Sequence, residues 1–260
     1  VSSTSVRRHK ATGLVVLLGA LVATGLGYTA VTGTAEAAPQ AASQTQVDQG
    51  RQLFLEGCAT CHGLAAQGTA SGPGLIGVGA AAVDFQVSTG RMPLAENAQQ
   101  APRKTPVYTS DQVAALSAYV ASLGAGPAIP SESDLNTSDA TLAEGGLLFR
   151  TNCAQCHNFA GKGGALSDGK FAPSLMNATP REMYEAMITG PQNMPNFTNS
   201  TLPVAQKQAI IKYIQNLQSA PAPGGLALGS FGPVTEGVFV WTAGIGALLL
   251  AAVWIGAKVR

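Results

Sequence analysis

Cys58-Ala59-Thr60-Cys61-His62 recurs ninety-five residues later as Cys153-Ala154-Gln155-Cys156-His157. In a Cys-x-x-Cys-His run two thiols can form thioether bonds to the vinyl groups of one haem. The histidine beside the second thiol can then reach the iron. On a turn of helix Cys58 and His62 lie four apart and share a face, so thioether and iron bond come from the same side. Cys-x-x-Cys alone would also suit disulfides, a thioredoxin-like redox pair or a zinc site. The histidine argues against them: every cysteine lies in one of the two motifs, and both motifs end in His, leaving only His9 elsewhere. The expectation is two haem c groups, covalently bound.

Around the motifs the chain repeats itself. Gly50-Arg51-Gln52-Leu53-Phe54 precedes the first and Gly145-Gly146-Leu147-Leu148-Phe149 the second, both fitting Gly-x-x-Leu-Phe-x-x-x-Cys. This spacing predicts a helix whose Leu and Phe pack inward and whose Gly lets another helix approach closely. Pro73-Gly74-Leu75 answers to Pro173-Ser174-Leu175 at an offset of one hundred, placing five extra residues of the second copy in the glycine-rich loop at 161–169. Thr179-Pro180-Arg181-Glu182 reads as a helix start with Thr as N-cap and Glu closing a capping box. That helix should end near Thr189-Gly190 and its counterpart near Thr89-Gly90. Each copy closes with a further helix. Val113, Leu116, Val120 and Leu123 form one apolar stripe after a Ser110 cap; Ile210, Tyr213, Ile214 and Leu217 form the other after Pro203.

Arg91-Met92-Pro93 and Gln192-Asn193-Met194-Pro195 supply candidate sixth ligands. Methionine thioether opposite histidine raises the haem potential and closes the position where oxygen or peroxide would bind. Methionine more often fills core gaps, and here the repeat discriminates. Met92 is the one methionine of the first copy, whereas Met176, Met183 and Met187 stand where the first copy has Ile76, Val83 and Val87, which cannot ligate iron. Met194 alone shares the Thr-Gly...Met-Pro setting of Met92. The candidate iron ligands are therefore His62 with Met92 and His157 with Met194.

Charged residues are 11% of the chain's 260, few for a soluble protein, and Gly and Pro together number 46. Net charge is +1, and no basic run or stacking-aromatic pattern suggests nucleic acid. No charge occurs from Ala11 to Ala35, after Arg7, Arg8, His9 and Lys10. Its apolar stretch, about 23 residues, exceeds a signal-peptide core and matches a full membrane span. Length favours a retained helix, while Ala35-Glu36-Ala37 offers a cleavage site, so signal peptide and anchor both stand. Gly237 to Ala257 is an uncharged run of 21 residues with Trp241 and Trp254 near its ends and Lys258 and Arg260 after it. It reads as a transmembrane helix with a cytoplasmic C-terminus and membrane lipid around it. The haem domains then lie outside the cell membrane, where c-type haem is attached in bacteria.

The expected organisation is mainly α: a basic N-terminus and span or signal peptide (1–35), a linker (36–46), one haem domain (47–124), a linker (125–138), a second haem domain (139–219), a tether (220–233) and the C-terminal transmembrane helix (234–260). Residues 95–109, an insertion with Arg103 and Lys104 beside prolines, read as a solvated surface loop, with partner docking as the other reading.

Two class I cytochrome c modules followed by one span resemble the dihaem cytochrome c subunit of the actinobacterial quinol-cytochrome c reductase, a cytochrome bc complex. The likeness runs from about Gly50 onward. It rests on Phe85-Gln86-Val87-Ser88-Thr89-Gly90-Arg91-Met92-Pro93, on Ala101-Pro102-Arg103-Lys104, on Asn158-Phe159-Ala160-Gly161-Lys162-Gly163-Gly164-Ala165-Leu166, on Thr189-Gly190-Pro191-Gln192-Asn193-Met194-Pro195 and on Phe231-Gly232-Pro233. The resemblance implies a subunit of that translocase acting as an electron carrier. Its partners would be a cytochrome b subunit, a Rieske iron-sulfur subunit and cytochrome c oxidase subunits. Cys58, Cys61, His62 and Met92 would hold the entry haem, and Cys153, Cys156, His157 and Met194 the exit haem. It also implies that the Pro73 and Pro173 carbonyls orient the two histidine rings. An electron-accepting subunit of a periplasmic dehydrogenase shares all the local chemistry. A dihaem peroxidase would need an open iron position, against which both Met loops count.

Overall fold

The computed structural model describes residues 13–25, 42–96, 98–219, 228–230 and 233–258. The basic N-terminus, the Ala35–Ala37 cleavage site and most of the 220–233 tether lie outside the described residues. Residues 1–43 and 44–260 form separate units. Of the first, the structure describes α1 over Gly13–Gly25, an apolar helix whose described length falls short of a full span.

The second unit contains both copies of the repeat. In the first, α2 (Gln44–Gly57) runs into the short α3 (Ala59–His62), followed by α4 (Ala80–Ser88) and α5 (Ser110–Ser122). After α6 (Glu132–Leu135) the order repeats: α7 (Leu142–Asn152), α8 (Ala154–His157), α9 (Pro180–Thr189) and α10 (Val204–Ser219). A two-residue hairpin, β1 (Gly164–Ala165) with β2 (Phe171–Ala172), occupies the glycine-rich insertion of the second copy.

Each domain is built on one helix crossing, α2 on α5 and α7 on α10. At the crossings a Cβ on Gly50 would overlap the Ala115 carbonyl, and one on Gly145 the Ala209 carbonyl. Only a residue without a side chain permits this approach. Beside each glycine a fully buried phenylalanine packs a tyrosine of the opposing helix: Phe54 on Tyr119 with ring centroids 5.3 Å apart, Phe149 on Tyr213 at 5.4 Å. Such tilted pairs add about 0.5–1.5 kcal/mol beyond the apolar area they bury. Val83 and Val87 join the first core, and Met183 and Met187 the second, as the packing reading of those methionines expects.

Two local expectations change. The N-cap of α5 is Thr109, not Ser110: the Thr109 hydroxyl accepts from the Gln112 amide, and the Gln112 side chain accepts from the Thr109 amide. Both residues are competent caps, and the reciprocal glutamine three positions on selects the first. At α9 the expected box forms, with Thr179 and Glu182 bonded reciprocally and Pro180 opening the helix. The stretch 125–138 is structured as well as connecting. Ser131 caps α6 through Asp134, and Gln208 and Lys212 of α10 donate to the carbonyls of Ser133, Asp134, Thr137, Ser138 and Ala140.

Near the other end α11 (Pro233–Lys258) is long and apolar enough to cross a membrane. At 1.5 Å per residue its 25-residue apolar segment spans about 38 Å, against about 30 Å of hydrocarbon. Val240, Leu248, Leu250 and Val253 are exposed, and so is nearly all of its surface. A helix apolar all round and this exposed among the described residues suits a membrane anchor.

Candidate haem-binding sites

The helix preceding each motif carries the chain to the first cysteine, and the motif itself folds as one tight turn. The His62 amide donates to the Cys58 carbonyl and the His157 amide to the Cys153 carbonyl, so thiol and imidazole leave from one side of the turn. Gly63 (φ +83°) and Asn158 (φ +64°) end these turns in the left-handed half of φ space. From there the chain circles back to the prolines.

At those prolines the two sites agree most closely. His62 Nδ1 lies 2.7 Å from the Pro73 carbonyl oxygen, and His157 Nδ1 lies 2.9 Å from that of Pro173. A carbonyl only accepts, so Nδ1–H donates in both, and in the neutral ring this places the lone pair on Nε2. A metal-binding imidazole is oriented in this way. Burial lowers the pKa of His157, partly offset by its bond to Pro173, and so favours the neutral ring that ligation needs.

The methionine loops also share a construction. Thr89 and Thr189 end their helices with hydroxyls donating to the carbonyls of Phe85 and Glu185. Gly90 (φ +68°) and Gly190 (φ +59°) then turn the chain into the loop. The Met92 amide donates to the Gln86 carbonyl, and the Met194 amide to that of Pro191. Met92 packs on the first core with Phe54 and Cys58. In the second domain Cys153, Cys156, His157 and Met194 all line one cavity of ≈ 320 Å³. Met183 and Met187 reach the same cavity but belong to the core of α9; Met194 comes from a loop.

The residues present fit a haem. Each motif offers two free thiols and an imidazole held through Nδ1 with Nε2 left for a ligand, and each Thr-Gly loop offers a thioether. Burial, then Cys156, pushes the Cys153 thiol up to about 12, and Cys58 shifts the same way through burial and Cys61. Both of these thiols are therefore held in the uncharged form. All four cysteines are free, and among the described residues no three of His, Cys, Asp and Glu converge on a metal position.

The sequence reading missed where the domains meet. The 95–109 insertion is surface over part of its length, but Ala101 is buried, and Gln100 both donates to the Phe171 carbonyl and accepts from the Phe171 amide. Arg103 forms a two-pronged ion pair with Glu182 at 2.9 and 2.7 Å, and Gln192 donates to the Ala101 carbonyl. Nearby α4 packs on α9, with Arg181 Nε 3.1 Å from Asp84 and 3.3 Å from Glu185. Glu185 is fully buried; burial, then the facing Asp84, push its carboxyl up to about 9 against the opposing pull of Arg181. A proton on the otherwise unpartnered Glu185 Oε2 can be donated to Asp84. The one signal for this interface in the sequence was acidic residues interrupting apolar helix stretches, Val83-Asp84-Phe85 and Tyr184-Glu185-Ala186-Met187.

Comparison with known proteins agrees with this duplicated architecture. Residues 47–124 match the family model described as cytochrome c, and residues 140–214 the one described as cytochrome C oxidase, cbb3-type, subunit III. A relative from Corynebacterium efficiens, the cytochrome bc1 complex cytochrome c subunit, is 45% identical over 96% of this chain and 90% of its own length. Proteins of the same name are 44% identical in Mycobacterium bovis, over 97% of this chain and 92% of theirs, and 42% identical in Mycobacterium leprae, over 95% and 87%. With two cytochrome c domains in series, an apolar C-terminal helix and this likeness along nearly its whole length, the chain belongs to the family of cytochrome bc1 complex cytochrome c subunits.

Proposed function

We propose that the chain is the membrane-anchored dihaem electron carrier of a respiratory quinol-cytochrome c reductase. Cys58, Cys61, His62 and Met92 would hold one haem c, and Cys153, Cys156, His157 and Met194 the other. When bound, the haems supply one-electron redox chemistry, taking electrons from a Rieske iron-sulfur subunit and delivering them to cytochrome c oxidase. The domains 47–124 and 139–219 would lie on the extracytoplasmic side, tethered by α11 with its Lys258 end in the cytoplasm. A cytochrome b subunit would complete the immediate neighbourhood.

The observation that carries this reading is the proline carbonyl bonded to Nδ1 of the motif histidine in both domains. It holds each ring in the tautomer an iron ligand requires. The thioether loops would close the sixth positions, which suits electron carriage and leaves none for peroxide.

Two measurements test the proposal. Mass analysis of the mature chain should find two covalently attached haems, and Cys156→Ala or Cys61→Ala should each weaken attachment at its own site alone. A tag on this chain should bring down cytochrome b, Rieske protein and oxidase subunits together in mild detergent. Recovery of a soluble dehydrogenase in their place would transfer the reading to that class.

A further inference from the structure

The wall of the second-domain cavity is not made by the second domain alone. Phe85, Arg91, Gln100 and Arg103, all from the first domain, line it beside His157 and Met194. Arg91, Arg103 and Glu182 are its charged residues. Arg103 and Glu182 satisfy each other through two hydrogen bonds, leaving Arg91 as the lining cation whose buried Nη1 no carboxylate bonds. Arg91 is more than nine-tenths buried, its guanidinium stacks over the Phe85 ring at 4.7 Å, and its Nη1 is buried with no hydrogen-bond partner. A buried guanidinium nitrogen left without a partner is costly, whereas one paired with a carboxylate is among the stronger contacts available to a protein.

We propose that Arg91 of the first domain is the binding residue for a propionate carboxylate of the haem carried by the second domain. The inference rests on the dihaem reading above and adds a shared site: each haem is not housed by its own domain alone. A haem presents two carboxylates on an otherwise apolar disc, and the cavity offers an apolar slot with one unsatisfied cation at its rim. Because Arg91 is the residue before Met92, the loop assigned to the first iron also supplies charge to the second. A cation beside a haem carboxylate favours the reduced, less positive iron, so Arg91 would raise the second haem's potential.

The other source of the same chemistry is a carboxylate of the first domain's own haem, and redox titration of the full-length chain separates the two. Met92→His, which removes a potential-raising thioether, marks the first domain's wave. Against that assignment Arg91→Gln should move the second wave downward by about a tenfold change in its electron-transfer equilibrium, about 59 mV, and leave the first in place. Arg91→Lys, keeping the charge, should restore most of the shift. Glu182→Gln leaves the Arg103 charge unmatched and should move the second wave upward, a sign that a general loosening of the fold would not produce. The propionate bending bands in the resonance Raman spectrum should change with Arg91→Gln. Movement of the first wave alone, or of neither in chains retaining two haems, overturns the proposal. Fewer than two haems in the parent chain would instead remove the dihaem reading beneath it.

Discussion

The two cytochrome c domains share a skeleton and differ in what covers it. Both cross a glycine-bearing helix over a closing helix, both pair a buried Phe with a Tyr, and both tie the motif histidine to a proline carbonyl. In the first domain Cys61 is exposed, and Leu64 and Ile76 nearby are 76% and 58% exposed. In the second, His157 is buried and the cavity beside it is walled partly by its neighbour's Phe85 and Arg91. A duplicated module has kept what holds the motif histidine and the methionine loop in place and changed what surrounds them. Surroundings, more than ligands, are then the means by which two otherwise equal sites are made unequal.

The largest test of the common skeleton is to remove its phenylalanines. Phe54→Ala and Phe149→Ala should each cost about 3–5 kcal/mol, seen as a fall in the denaturation midpoint. Similar losses would affirm that the domains share one core plan; a loss confined to one would break the equivalence.

The interface gives the next test. Below the ordinary carboxylate range Glu185 is protonated folded or unfolded; as pH rises from about 4.5 the unfolded chain gives up that proton while the folded one keeps it until about 9. Stability attributable to this group is therefore whole at low pH and declines through that window, by at most about 1.4 kcal/mol per pH unit. Asp84 of α4 and Arg181 of α9 are the charged groups facing it. Glu185→Gln should flatten the slope in pH-dependent unfolding, and an unchanged slope would show that Asp84 and Glu185 do not share a proton.

Smaller effects follow from single bonds. Gln100→Ala removes both bonds to the Phe171 backbone and should cost about 0.5–1.5 kcal/mol per bond, with faster amide exchange at Phe171 as its local mark. At the helix starts, Thr109→Ala and Thr179→Ala should each cost about 1 kcal/mol, while Ser110→Ala should change stability by a few tenths at most. Equal losses at Thr109 and Ser110 would return the cap of α5 to ambiguity.

Features written in consecutive residues were legible before any coordinates. The two motifs, the Gly-x-x-Leu-Phe approach, the Thr179 capping box and the packing role of Met183 and Met187 all follow from local spacing or from aligning one copy against the other. That alignment pairs each copy with its counterpart and is blind to contact between them. Nothing in Gln100 announces that it will pair with Phe171, seventy-one positions away, nor in Asp84 that it will face Glu185. The hairpin of β1 and β2 was invisible for another reason: two-residue strands carry no alternation. Residues 125–138, low in apolar content, read as a linker because their order comes from α10, whose Lys212 and Gln208 bond to backbone carbonyls that composition does not reveal.

That connector has a consequence for kinetics. A flexible leash would make every meeting of the two domains a diffusive search, and the internal hop would slow in a thick or crowded medium. Here the strap is stitched to α10 at Ser133, Asp134, Thr137, Ser138 and Ala140, and the search is completed once, when the chain folds. If both domains carry the haems proposed above, solvent viscosity should then affect collisions with outside partners and leave transfer between the two domains untouched.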